Sequence, residues 1–177
     1  QLFEHWFTVP EVLQAHARHV ETGEAIPMEL VDKMRAARNF DAGFATVEFT
    51  ASALVDMEFH SRESAPEDPF TFETEALEKL GAPAAIPTRH ATPHFLHVFT
   101  GDGYSAGYYS YMWSEVLDAD AFRAFEETGD AFNPEIAEKL HRYIYSAGGS
   151  EDPEALYKAF RGRMPSPEAM MEKRGLL

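Results

Sequence analysis

The sequence predicts an all-α fold of irregular, multi-helix architecture. Prolines and capping side chains stand at the start of one stretch after another, apolar residues recur behind them at helical spacing, and only the segment "HFLHVF" reads as a short strand. The stretches give about seven or eight helices.

Pro10 precedes "EVLQAHARHV" and Pro27 precedes "MELVDKMRAARN", each at a first-turn position where a missing N–H costs nothing. Asp41 is positioned to cap a long helix in which Phe44, Val47, Ala51, Leu54, Val55 and Phe59 form one apolar stripe, expected to be buried. Residues 61–71 carry Glu63, Pro66, Glu67, Asp68 and Pro69 and predict an exposed acidic loop. Thr71 then caps "FETEALEKL", with Glu73 and Glu75 suited to the positive helix start and Gly81 ending it. Prolines interrupt residues 82–93. Further on, "SEVLDADAFRAFEETG" keeps helical period, Asn133 and Pro134 open "EIAEKLHRYIYSAGG", Ser150, Asp152 and Pro153 open "EALYKAFRG", and Ser166 and Pro167 open a last short helix. No repeat and no low-complexity tract interrupts this order.

Composition narrows the function classes. With 45% hydrophobic and 13% aromatic residues, the chain can fill the core of one domain or of part of one. Thirty acidic against 15 basic residues give a formal charge of -15, which repels phosphate backbones and anionic lipid, so neither nucleic acid nor a membrane is an expected partner. No run of apolar residues is long enough for a membrane span. The absence of cysteine excludes disulfides and thiolate chemistry and agrees with a cytoplasmic location. The opening "QLFEHWFTVPE" lacks a methionine and runs straight into aromatic residues, as an excised part of a longer protein does.

Two groups of side chains could carry chemistry. His90, His94 and His97 have the spacing H-x3-H-x2-H, which on a helix could share one cation, but Pro93 inside it disfavours that helix; exposed or hydrogen-bonded loop histidines are the plainer reading. His16 and His19, at i and i+3 of a helix beside Arg18, read as a solvated face. The second group is "HVFTGDGYSAGYYSYMW", residues 97–113. Gly101 and Gly103 flank Asp102 in a turn, and Gly107 allows a backbone or a substrate to approach closely. With a helix from about Tyr104, Tyr104, Tyr108 and Tyr111 share one face, while Tyr109, Met112 and Val116 face a core. The phenols serve either as packing or as neutral hydroxyl donors aimed at a developing oxyanion.

The same residues carry a resemblance. "HVFTGDGYSAGYYSYMWSEVLDADAFRAFEETG", "SAGGSEDPEALYKAFRGRMPSPEAMMEKRGL" and the opening "QLFEHW" resemble the C-terminal part of the zinc oligopeptidases that include thimet oligopeptidase, oligopeptidase A and the peptidyl-dipeptidase Dcp, with the bacterial group most similar. The resemblance covers essentially the whole chain. It implies that residues 1–177 are part of a larger, mostly helical metallopeptidase catalytic domain whose substrates are short peptides. By the resemblance, Tyr104 and Tyr111 are catalytic donors to the scissile carbonyl, and His97, Tyr108 and Gly103 lie on the substrate side. Zinc is the implied cofactor, yet no H-E-x-x-H occurs in this chain, and Gln1 looks like the last residue of the V-E-x-P-S-Q pattern that holds the third ligand. No metal ligand is therefore expected within these residues, and the chain alone is expected to be inactive. A monomeric parent is expected, with the separated part self-associating through exposed apolar faces. A non-catalytic, all-helical binding module on the same scaffold is the competing reading.

Overall fold

Side chains that accept the free N–H groups of helix starts decide where most of this chain turns helical. In the computed structural model, which describes residues 1–177, Asn133 accepts from the amides of Glu135 and Ile136, and Asp152 accepts from that of Ala155, each followed by proline at the first helical position. The nine α-helices are α1 (Pro10–His16), α2 (Met28–Ala37), α3 (Ala42–His60), α4 (Pro69–Lys79), α5 (Leu96–Phe99), α6 (Ser110–Glu126), α7 (Pro134–Leu140), α8 (Pro153–Arg161) and α9 (Glu168–Lys173). Short 3-10 turns cover Leu2–Thr8 and Thr92–His94, and α7 runs on as a π turn over His141–Tyr145. The fold is all-α, and no helix is long and apolar enough to cross a membrane.

Several boundaries differ from the sequence reading. The segment "HFLHVF" is no strand: Phe95 and Val98 are buried while Leu96 and Phe99 are exposed, a spacing of three rather than two, and the amide of Val98 bonds back to the Phe95 carbonyl at 3.1 Å. Helix α1 stops at His16, because Arg18 and Ala25 pair in an antiparallel bridge across a turn that Gly23 closes at φ +71°. His19 consequently sits in that turn and accepts from the amides of Glu21 and Thr22, off the helix face assigned to it. Helix α4 begins at Pro69 and is capped by Asp68, whose carboxylate takes the amides of Phe70 and Thr71 and the Thr71 hydroxyl; Thr71 is inside the helix. Asp41 occupies the cap position of α3 without a side-chain bond. Of the buried stripe expected on α3, Ala51 and Val55 are buried but Phe44, Val47 and Leu54 are exposed, and Ser52, Ala53 and Asp56 are buried outside it.

The chain forms two compact units. One comprises Gln1–Asn39 with Ser114–Leu177. Its core gathers Ala121, Ala124 and Phe125 of α6 with Leu140, Tyr157 and Phe160, and Trp6 presents its ring edge-on to Phe122 and Phe125. Trp6 also donates through Nε1 to the Ala131 carbonyl at 2.8 Å, so the opening 3-10 turn is fixed to the α6–α7 connection. Buried Asp120 receives the Tyr157 hydroxyl at 2.9 Å, Arg161 Nε at 3.2 Å and Arg163 at 2.6 Å. A buried carboxylate needs such partners, and they make the "FRGR" stretch part of the scaffold.

The other unit is Phe40–Trp113. Val55, Phe72 and Ala76 form its core with Phe59 and Leu77 packed against them, so α3 and α4 lie side by side. Phe59 is also edge-on to Phe99 at 5.1 Å, which ties α5 to the end of α3.

Candidate functional site

The second unit brings four of the five predicted site residues together as rings. His97 on α5 lies 4.3 Å, centroid to centroid, from Tyr104, and 5.9 Å from both Tyr108 and Tyr111. Tyr104 and Tyr111 stack nearly parallel, 5.8 Å apart with 6° between planes, and Tyr108 meets Tyr111 edge-on at 5.5 Å. His97 Nε2 is 3.0 Å from the Tyr111 hydroxyl.

The cluster is not built on one helix face, as the sequence reading expects. Helix α6 starts at Ser110, and residues 101–109 are turns, so Tyr104 and Tyr108 reach the cluster from an irregular segment. Tyr109 is exposed, and Met112 and Val116 are only half-buried, so the opposite side is not the core it was expected to be. Two features explain why the turn replaces a helix. Ala106 adopts φ +56°, the left-handed region that an L side chain enters at a cost on the order of 1–3 kcal/mol, and it is the only non-glycine residue in the chain to do so. Gly107 sits tight against the turn it follows: a Cβ there would lie 3.3 Å from the Tyr104 carbonyl oxygen. The approach that Gly107 permits is thus that of its own chain. Gly103 faces open space, so nothing around it demands a glycine.

One residue the sequence reading passed over holds this turn. The carboxylate of Asp56, fully buried one turn before the end of α3, accepts from the amides of Ala106 at 3.1 Å and Tyr108 at 3.0 Å, while His60 Nδ1 lies 2.8 Å from its Oδ1. The signal was present in "ALVDMEFH", where a lone aspartate interrupts an apolar stretch four residues before a histidine. Beneath Tyr108, Phe49 stacks at 4.9 Å and Phe95 packs edge-on at 4.8 Å. Ser105 donates to the Val98 carbonyl at 2.9 Å, which fastens the turn to α5.

The surroundings favour the neutral form of Tyr108 and Tyr111. The Tyr111 hydroxyl is held above the usual phenol range by its hydrogen bond with Tyr104, and further by burial and by the charge that Tyr104 or Tyr108 would carry. Burial raises Tyr108 as well, with Arg89 pulling the other way and Glu48 adding to the rise. Protonated phenols are hydrogen-bond donors, and with the exposed edge of Tyr104 they can address a carbonyl or an oxyanion.

His90, His94 and His97 do not converge on a cation site. His90 stacks on Phe95 at 5.2 Å, His97 is engaged with Tyr111, and no group of three His, Cys, Asp or Glu side chains in the chain is placed to hold a metal ion. The residues present do not fit zinc.

Phenol hydroxyls and a histidine thus gather in one unit of an all-helical scaffold. The match to known sequences makes the class specific: residues 1–176 match Peptidase family M3, and the chain belongs to that family. It is 43% identical to oligopeptidase A of Escherichia coli strain K12, over 99% of this chain and 26% of that protein. It is 41% identical to the dipeptidyl carboxypeptidase of the same strain, again over 99% of this chain and 26% of the relative, and 36% identical to a probable cytosolic oligopeptidase A of Arabidopsis thaliana, over 100% and 26%. The chain thus spans about a quarter of the length of these relatives.

Proposed function

We propose that this chain is the C-terminal half of the catalytic domain of a zinc metallopeptidase that hydrolyses short peptides, as an oligopeptidase or a peptidyl-dipeptidase, and that it supplies the substrate-binding and transition-state-stabilising side of the cleft. The observation that carries the reading is the cluster of Tyr104, Tyr108 and Tyr111 around His97, whose phenols remain donors at neutral pH. Tyr104 and Tyr111 act on the scissile carbonyl: as its oxygen gains charge, a hydroxyl donor already in place strengthens its bond without reorganising. His97 orients the Tyr111 hydroxyl and, with Tyr108 and the Gly103 backbone, contacts the peptide beside the cleaved bond. Zinc would be held in the parent protein by ligands outside these residues, so the chain alone is inactive. Family membership and the names of the relatives support peptide substrates, and the Arabidopsis relative supports a cytoplasmic parent.

The test is hydrolysis of a short fluorogenic peptide by the intact enzyme, with and without a zinc chelator, comparing wild type with Tyr104→Phe and Tyr111→Phe. Each variant is expected to lose roughly a hundredfold in kcat with little change in KM. Chelator-sensitive activity that survives both substitutions returns the phenols to packing, and an intact protein without peptidase activity returns the chain to a binding module.

A further inference from the structure

We propose that Asp56 is the positioning residue of the tyrosine cluster: its buried carboxylate grips the backbone on both sides of Ala106, holds that residue in its left-handed conformation, and so sets where Tyr104 and Tyr108 point. The inference rests on reading the cluster as the substrate side of a peptidase cleft. Three observations converge on it. The side chain of Asp56 is 0% exposed, and each oxygen takes a different amide, Oδ1 that of Ala106 and Oδ2 that of Tyr108. Between those amides lie Gly107 and Ala106, the one non-glycine residue at positive φ. His60 Nδ1, at 2.8 Å from Oδ1, orients the carboxylate from the solvent side, with Phe59 and Phe99 packed on the imidazole. A carboxylate needed only for the stability of α3 requires neither amide. Two charge-assisted bonds to amides two residues apart fix both peptide planes, and with them the directions in which the tyrosine side chains leave the turn. Because hydroxyl donors work only at defined distances from the reacting oxygen, a displaced turn lowers turnover while leaving most substrate contacts in place.

The test uses the intact enzyme with Asp56→Asn, which keeps the shape but sets an amide NH2 against one of the two N–H donors. The expected result is a fall in kcat of roughly tenfold to a hundredfold with KM changed less than about threefold, and hydrogen exchange at least about tenfold faster at the Ala106 and Tyr108 amides but unchanged along α4. Adding Ala106→Gly to Asp56→Asn recovers part of the rate, since glycine adopts the same φ without strain. Ala106→Val with Asp56 intact reproduces the loss, which keeps the test decisive if Asp56→Asn folds poorly. Unchanged exchange at the two amides, or exchange that quickens throughout the unit with no recovery in the double variant, overturns the proposal. If the wild-type enzyme cleaves no peptide, the peptidase reading falls while the exchange data still decide whether Asp56 holds the turn.

Discussion

His97 and Tyr111 are joined by a hydrogen bond of 3.0 Å between Nε2 and the phenol hydroxyl, linking α5 to the first turn of α6. The same imidazole lies against Tyr104 at 4.3 Å, so one side chain both orients a donor and packs on its neighbour. The two roles separate by substitution. His97→Phe keeps a ring against Tyr104 and deletes the bond; kcat/KM for a short peptide is expected to fall roughly threefold to tenfold, the size of one hydrogen bond. His97→Ala removes the ring as well and is expected to cost more, and equal losses in the two variants would show that only the bond matters.

The raised phenols predict the alkaline limb of the pH profile. A donor must be protonated, and Tyr108 and Tyr111 are both shifted upward, so these two hydroxyls stay donors through neutral pH and lose their protons above the ordinary phenol value of about 10. The largest cause at Tyr111 is its hydrogen bond with Tyr104. Tyr104→Phe removes that cause, and the alkaline limb of its residual activity is expected to move to lower pH. A limb that stays in place in a kcat titration would sever the two phenols.

Tyr157 gives the fold its own pH signature. Its hydroxyl donates to Asp120 at 2.9 Å and to the Leu117 carbonyl at 3.1 Å, and burial, followed by the bond to Asp120, pushes the phenol far above its ordinary range. A group with a raised folded value contributes stability that is complete below its unfolded pKa, about 10, and that disappears as pH climbs beyond it. Tyr157→Phe is expected to cost about 1 kcal/mol at pH 7 and to flatten the loss between pH 9 and 11. Urea unfolding at the two ends of that window, followed by tryptophan fluorescence, measures both.

Gly107 tests how closely the turn is fitted to Tyr104. A methyl group there would come within 3.3 Å of the Tyr104 carbonyl oxygen, so Gly107→Ala has to displace that residue by a few tenths of an ångström. Reduced kcat with nearly unchanged melting temperature is the expected outcome. A variant with wild-type kcat would show that the backbone of Tyr104 tolerates the shift.

The capped helices were legible because their signals are local: Asn133 and Asp152 take the first amides of α7 and α8 as the sequence predicts, and Gly81 ends α4 at φ +69°. Where a distant partner decided the outcome, the sequence reading failed. Periodicity alone extends a helix back to Tyr104, but distant Asp56 captures the Tyr108 amide, which such a helix would bond to the Tyr104 carbonyl. The phenols gather around His97, but their support was not legible, since the spacing of tyrosines carries no record of which carboxylate will hold their backbone. The exposed Phe44, Val47 and Leu54 have the same origin: periodicity marks an apolar face without saying what covers it.

That uncovered face yields the last prediction. Phe44, Val47, Leu54 and Met57 on α3 are 37–47% exposed, while Val55 of the same helix is packed against Phe72 and Ala76 of α4. Apolar area of this kind favours association when copies meet. The isolated 177-residue chain is expected to self-associate at micromolar concentration, and Phe44→Glu with Leu54→Lys is expected to shift it toward monomer, since both positions face solvent and lose no core contact. Sedimentation velocity over a concentration series reads this directly. Salt separates the causes: at a net charge of -15, association driven by apolar burial strengthens as added salt screens the repulsion between copies, whereas association through complementary charges weakens.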